Sequence, residues 1–404
     1  SNVDQEWLDC YEAGMFTEFM EQRAPGHTVG GDRFYKQGFE DFKDQIEDRI
    51  ARLDFTNDVD AYNKKVDLEA MKIACEAMII LGKRYADKAR EMAEKTDDPS
   101  QKEDLLLIAK NCDVVPARKP ETFHQALQMY WFVHIGVTTE LNIWDAFSPG
   151  RLDQHLNPFY EKVTEDGILD RQRAQELMEC FWVKFNNQPA PPKVGITLKE
   201  SATYTDFANI NTGGITPDGQ NGVNEVSYII LDTMDEMKLL QPRSNVQISR
   251  KTPAKFLKRA CEISRKGWGQ PAFYNTDAIV QELMEAGKTI QDARCGGSSG
   301  CVETGCFGKE AYVLTGYMNI TKILEITLYN GIDPQTGKKL GLETGDPRKF
   351  MSYDELFEAF TRQMKHFIGI KMRGNLIIEN IYAKHAPAPL MSVIVDDCIE
   401  KAMD

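Results

Sequence analysis

Cys295-Gly296-Gly297-Ser298-Ser299-Gly300-Cys301-Val302-Glu303-Thr304-Gly305-Cys306 stands out from the rest of the 404 residues. Three glycines precede Cys301 within six residues and a fourth follows at 305. Such density admits backbone conformations closed to other residues and lets the chain approach a ligand closely. If the backbone here is extended, Cys301 and Glu303 project to the same side, because strand side chains alternate with period two. A thiol, able to carry a hydrogen atom, would then share a small volume with a carboxyl group able to move a proton. Two other readings stay open on these residues alone. One is a glycine-rich surface loop with an inert cysteine, since free Cys often acts as a small hydrophobe. The other is a metal site from Cys295, Cys301 and Cys306, although their gaps match no familiar zinc spacing. No phosphate-cradling G-x-x-x-x-G-K-[ST] or G-x-G-x-x-G pattern occurs here.

Working outward, helical periods alternate with short strand-like runs. Val66, Met71, Ile73, Ala74, Ala77, Met78 and Leu81 predict a helix over residues 62–94. Further helices are predicted over 100–108, 122–134, 171–185 (with Asp170 as N-cap) and 225–239. Thr252-Pro253 reads as the start of a helix running to about 265, and Thr276 as the start of another reaching 286. Later helices are predicted over 317–329 and 353–367, the second opened by a Ser352-to-Glu355 capping box. Residues 246–249 and 271–274 read as short strands. Residues 1–55 show little periodicity and read as short helices and loops. This alternation predicts an α/β architecture rather than a helical bundle. No Pro/Gly/Ser-rich linker interrupts the chain, which reads as one continuous body from residue 56 to 404, with the Cys loop at 295–308.

Composition narrows the function classes. With 42% hydrophobic and 27% charged residues the chain can build a sizeable core. Against 48 Lys+Arg stand 62 Asp+Glu, a formal charge of −14, which disfavours general binding to a phosphate backbone. There is no run of 18 apolar residues, and the first residues lack the basic and apolar regions of a signal peptide. Nine cysteines with no C-x-x-C predict reduced thiols in a cytoplasmic setting.

Gly300-Cys301-Val302-Glu303 resembles the active-site loop of glycyl radical enzymes. Other segments resemble the same family in order: Thr122-Phe123-His124-Gln125-Ala126-Leu127-Gln128, Ser148-Pro149-Gly150-Arg151-Leu152-Asp153, Asn211-Thr212-Gly213-Gly214, Gly269-Gln270-Pro271-Ala272-Phe273, and Asp396-Asp397-Cys398-Ile399-Glu400. The resemblance runs from about residue 60 to the end. Pyruvate formate-lyases carry two adjacent cysteines, whereas position 302 is Val. The continuation Thr304-Gly305-Cys306-Phe307-Gly308 is most similar to the 4-hydroxyphenylacetate decarboxylase branch.

The resemblance implies a ten-stranded α/β barrel sheathed by helices, here incomplete. It implies Cys301 as thiyl carrier, Glu303 as proton-handling carboxyl, Ser148 as a donor to a substrate carboxylate and Phe207 as an aromatic wall. The implied reaction is decarboxylation of 4-hydroxyphenylacetate to 4-methylphenol. Alternatives are another arylacetate decarboxylase acting on phenylacetate or indoleacetate, an arylalkylsuccinate synthase, or a non-catalytic barrel that binds small aromatic acids. The implied radical is a glycyl radical installed by a radical S-adenosylmethionine activase. The family's C-terminal glycine motif is absent up to Asp404, so the expectation is a fragment without the glycine-radical domain. Further implied partners are a small iron–sulfur subunit and additional copies of the complete protein. No bound metal is expected.

Overall fold

The computed structural model describes residues 3–17, 27–141, 147–187, 208–300, 302–312, 316–385 and 387–404. The chain forms two compact units, one of Ser1–Ala24, Lys193–Ala202 and Val313–Pro387, the other of Pro25–Pro192, Thr203–Tyr312 and Ala388–Asp404. Because each unit is assembled from separate stretches, no single linker with a distinctive composition marks the division.

The larger unit contains the strands. β1 (His27–Val29) pairs in parallel with β2 (Phe147–Ser148) and antiparallel with β8 (Ala311–Tyr312). β3 (Asn209–Gly213), β4 (Arg243–Ile248) and β5 (Ala272–Asn275) form a parallel sheet in that order. The helix Glu225–Met237 connects β3 to β4, and Ala254–Ser264 connects β4 to β5, as parallel pairing demands. β6 (Gly297–Ser299) and β7 (Glu303–Gly305) make a two-stranded antiparallel hairpin. The strand expected over 246–249 is the second half of β4, and that over 271–274 is β5 shifted by one residue.

Helix positions transfer from sequence to structure, but the buried face expected over 62–94 is corrected: Met71 and Met78 are buried, whereas Val66 and Ile73 are 47% and 66% exposed. The helix Ala61–Lys95 buries Leu68, Met71, Cys75 and Met78, the i, i+3, i+4 stripe of one face. Helix Phe123–Leu141 is buried on nearly every side, including Tyr130, Trp131 and Phe132. Asp170 caps Arg171–Asn187 as expected, its Oδ1 accepting the Arg173 N–H at 2.8 Å. In the supposedly aperiodic N-terminal stretch, Phe39–Ala51 is a helix that buries Phe39, Phe42 and Ile46. Each such side chain contributes about 1.5–3 kcal/mol.

Two caps differ from expectation. The Thr252 hydroxyl accepts the Ser249 N–H at 2.9 Å and so closes the preceding turn, while Pro253 takes the N-cap position without a side-chain bond. In the smaller unit, Ser352 Oγ accepts the Glu355 N–H at 3.3 Å, but the Glu355 carboxylate turns to Met351 N–H at 3.0 Å. That second helix runs Tyr353–His385, well past residue 367. Its glycine at 374 does not stop it. A Cβ there would collide with the Trp7 indole, so the glycine lets the helix Gln5–Glu12 lie against it.

The smaller unit also contains a buried ion pair. Asp333, fully buried, accepts Lys322 Nζ at 2.7 Å, Thr336 Oγ1 at 2.6 Å and the Gln335 N–H at 3.2 Å. Burial alone would raise its carboxyl, but these hydrogen bonds and the Lys322 charge hold it down at about 2. The folded value lies below that of the unfolded chain, so the stabilisation is complete above about pH 4 and is lost as pH falls toward 2. We expect about 2 kcal/mol of acid sensitivity from this group. In denaturant unfolding between pH 5 and 2, Asp333→Asn should start less stable and show a flatter slope. An unchanged slope would show that the carboxyl does not titrate there.

Candidate active site

The Cys loop is a hairpin. Pairing of Ser299 with Glu303 leaves 300–302 as the connection, with Gly300 at φ +49°. Antiparallel pairing of 297–299 with 303–305 means that the chain reverses between the two strands, and the same-side projection of Cys301 and Glu303 conditional on an extended backbone involves a residue outside the described ones. Residue 301 lies outside the described residues. Glu303 is half-buried at the start of β7, and its Oε2 accepts the Val302 N–H at 2.9 Å. Val302 is 69% exposed, so one side of the connection is open.

The inner side is bound to the parallel sheet. Along β3 and β4, Ile210 and Val246 point into the hydrophobic core, while Asn209, Asn211, Asn245 and Gln247 alternate onto the other face, all fully buried. Asn211 treats Ser298 as a strand neighbour would: its Nδ2 donates to the Ser298 carbonyl at 2.8 Å and its Oδ1 accepts the Ser298 N–H at 3.1 Å. Asn209 Nδ2 donates to the same carbonyl at 3.3 Å. The amides also orient one another. Gln247 Nε2 donates to Asn211 Oδ1 at 2.8 Å and to Asn245 Oδ1 at 3.1 Å, and Asn245 Nδ2 donates to Asn209 Oδ1 at 3.0 Å. Thr276 Oγ1 donates to Gln247 Oε1 at 3.2 Å, anchoring the far end. Buried amides are costly unless satisfied in this way. At Gly297 a Cβ would strike the Phe307 ring and Asn211 Oδ1, so only glycine allows the strand to sit this close.

A second tie comes from Arg151. Its guanidinium, 3% exposed, donates to the carbonyls of Gly296 (2.9 and 2.6 Å), Gly213 (3.0 Å) and Arg294 (3.2 Å). Burial lowers its pKa to about 10, against the pull of Asp153, so it stays charged at neutral pH. Asp153 accepts the Gly213 N–H at 2.7 Å and Ser227 Oγ at 2.5 Å, and burial raises its carboxyl to about 6 despite these bonds. Gly214, at φ +75°, leaves the room that the guanidinium occupies.

Of the residues expected at the site, Ser148 is buried, and its Oγ accepts the Asn209 N–H at 3.1 Å. It thus adjoins the amide face that holds the hairpin, and its own O–H is a donor. Phe207 lies outside the described residues. Cys306 packs with Ile279, Leu283 and Ala293, and burial pushes its thiol up to about 12. Burial also raises Cys295, with Arg151 opposing. Among the described residues no group of three or more His, Cys, Asp or Glu side chains could hold a metal ion. Arg151, Asp153 and the amide face were not singled out by role from the sequence. Their signal was present in the period-two spacing of Asn209, Asn211, Asn245 and Gln247.

A cleft of about 620 Å³ opens beside Arg151 and Phe307, lined also by Arg33, Lys36, His155 and Cys295. Burial lowers His155 to about 4 although Asp32 favours its charged form, so the ring is neutral at pH 7. No helix among the described residues is long and apolar enough to cross a membrane.

Compared with known proteins, residues 1–404 match the family described as pyruvate formate lyase-like. The chain is 79% identical over 399 residues to trans-4-hydroxy-L-proline dehydratase of Clostridioides difficile, covering 99% of this chain and 51% of that protein. It is 32% identical over 378 residues to isethionate sulfite-lyase of Desulfovibrio desulfuricans, covering 92% of this chain and 45% of that protein. The crystal structure of hydroxyproline dehydratase from Clostridioides difficile with trans-4-hydroxy-L-proline bound superimposes with a TM-score of 0.96 at 78% identity, covering 100% of this chain and 51% of that one. The chain thus spans about half the length of the curated relatives it matches. The fold is that of these enzymes, the α/β barrel expected from the sequence.

These likenesses overturn the expected chemistry. Decarboxylation of 4-hydroxyphenylacetate, the other arylacetate decarboxylations, the arylalkylsuccinate synthase and the aromatic-acid-binding barrel do not fit near-identity to a dehydratase. The error has a physical origin. A thiol and a carboxyl on one loop serve hydrogen-atom and proton transfer for many substrates, so Thr304-Gly305-Cys306 carries little information about which bond is broken.

Proposed function

The chain belongs to the pyruvate formate lyase-like family, and on that footing we propose that it is the thiol-bearing part of a glycyl radical dehydratase acting on trans-4-hydroxy-L-proline. The observation that carries this reading is the 79% identity to the hydroxyproline dehydratase over 399 residues, 99% of this chain. A glycyl radical, installed by a separate radical S-adenosylmethionine activase, would supply the hydrogen-atom acceptor: the Cys301 S–H bond would break and a C–H bond would form at that glycine, leaving the unpaired electron on the Cys301 sulfur. The exposed flank at Val302 suits the approach of a second loop carrying that radical.

In this reading the Cys301 sulfur takes a hydrogen atom from the ring carbon between the nitrogen and the carbinol carbon. An S–H bond forms and a C–H bond breaks. Glu303 gives a proton to the departing hydroxyl, which leaves as water, and the ring nitrogen gives up a proton in return. The thiol then restores the hydrogen atom at the former carbinol carbon, so the net change is loss of one H₂O. Ser148 donates its O–H to the substrate carboxylate. Phe207 loses its assigned partner, because the substrate has no aromatic ring. The small iron–sulfur subunit belonged to the decarboxylase reading and falls with it. The activating enzyme and self-association of the complete protein are carried forward, as is a cytoplasmic setting.

The test is anaerobic assay of the complete, activated protein. We expect trans-4-hydroxy-L-proline to be consumed with loss of water, and 4-hydroxyphenylacetate to be untouched. Release of carbon dioxide from an arylacetate, with hydroxyproline unconsumed, would overturn the reading.

A further inference from the structure

We propose that Asn211 is a positioning residue for hydrogen-atom transfer, its side-chain amide fixing the strand that leads into Cys301. The inference rests on the radical reading above but not on the identity of the substrate. In an antiparallel hairpin, alternate residues turn their N–H and C=O away from the partner strand. At Ser298 both groups are taken by one amide, that of Asn211, and the carbonyl also by Asn209. Ser298 is three residues from Cys301, and the peptide held in this way is fully buried. The Asn211 amide has a single workable orientation, because Gln247 Nε2 donates to its oxygen and Gln247 is itself aligned by Thr276 and Asn245. The hairpin is therefore not held by its own two strands alone. A chain of oriented dipoles running back to the helix Thr276–Glu285 sets its height above the sheet. Hydrogen-atom transfer is steep in distance, and a displacement of about 1 Å costs on the order of 10²-fold in rate.

Asn211→Asp tests this. A carboxylate can still accept from Ser298 N–H and Gln247, but it sets an oxygen against the Ser298 carbonyl where a donor stood, and so pushes the strand away. The complete protein is activated anaerobically and moved into D₂O, where the Cys301 thiol exchanges its proton for a deuteron. Passage of that deuterium to the radical glycine replaces its single α-hydrogen, and the doublet of its electron paramagnetic resonance signal collapses to a singlet. In wild type the collapse reports transfer between Cys301 and the glycine with no substrate present. We expect Asn211→Asp to carry the radical to the wild-type extent, yet to slow the collapse about 100-fold. With substrate, kcat should fall by a similar factor and KM should stay within threefold. Collapse at the wild-type rate in a folded Asn211→Asp protein overturns the proposal. Should Asn211→Asp not fold, Gln247→Met leaves the Asn211–Ser298 pair in place and removes the donor that orients it, along with the bonds of Gln247 to Asn245 and Thr276, with about a tenfold slowing expected. Failure of both to fold assigns these amides to stability and likewise overturns the positioning role. A wild-type protein that exchanges deuterium but ignores hydroxyproline would sink the substrate reading and leave this inference standing.

Discussion

Cys301→Ala in the complete, activated protein should reduce dehydration of trans-4-hydroxy-L-proline by at least on the order of 10⁴-fold while leaving the fold and the installed glycyl radical intact. The size follows from the state of the two cysteines that flank Cys301 in sequence among the described residues. Cys306 is packed among Ile279, Leu283 and Ala293 with its thiol pushed up to about 12, and Cys295 sits on the other side of Gly296, beside Arg151. Alanine has no hydrogen atom weakly enough bound to be exchanged with a carbon centre. Cys301→Ser should be as inactive, because its O–H bond is stronger than the C–H bonds it would need to regenerate. Residual turnover above about 1% in either variant would remove the sulfur from the mechanism. The radical signal provides the control, since its loss would point to failed activation and not to failed catalysis.

The second large effect is expected at Arg151. Arg151→Met should destabilise the larger unit by about 3–5 kcal/mol in denaturant unfolding. Methionine fills much of the space but donates nothing. Gln154 Nε2 also reaches the carbonyls of Gly213 and Ile215, at 2.9 and 3.2 Å, so those keep a partner. Gly296, which accepts two bonds from the guanidinium, and Arg294 do not. Asp153 would lose its cationic neighbour in a fully buried position. Arg151→Lys should recover less than half the loss, because one ammonium cannot reach carbonyls on both 213–215 and 294–296 at once. A loss below about 1 kcal/mol for Arg151→Met would mean that water satisfies these groups and that the arginine is dispensable to the fold.

The two substitutions act on different levels of the same hairpin. One removes the sulfur that the proposed mechanism uses; the other unties the backbone at Gly296 that leads toward it. Reading the chain by itself nominates the first level and passes over the second. Cys301 and Glu303 stand close in sequence amid glycines, and the family resemblance of that short stretch is what implies their chemistry. Arg151 and the carbonyl of Gly296 are 145 positions apart, and nothing local announces that they meet.

The same division runs through the whole molecule. The helix over 62–94, the Asp170 cap, and the alternation of helices with short strands are short-range matters, set by period and by side chains within four residues of the backbone they serve, whereas the buried face of that helix runs through Leu68 and Cys75 and leaves the expected Val66 and Ile73 exposed. The sequence alone determined these short-range features, together with the family resemblance that nominates Cys301 and Glu303. Tertiary structure alone decided that 295–306 closes as a hairpin, that Asn211 and Gln247 come together across the β3–β4 register, and that Gly374 makes room for Trp7. In the proposed reading, which identity along the whole chain carries, substrate choice is a long-range matter too. The loop supplies a reaction common to many molecules, whereas selecting one of them depends on walls drawn from distant parts of the chain, whose meeting is a property of burial and long-range pairing and of no single stretch of residues.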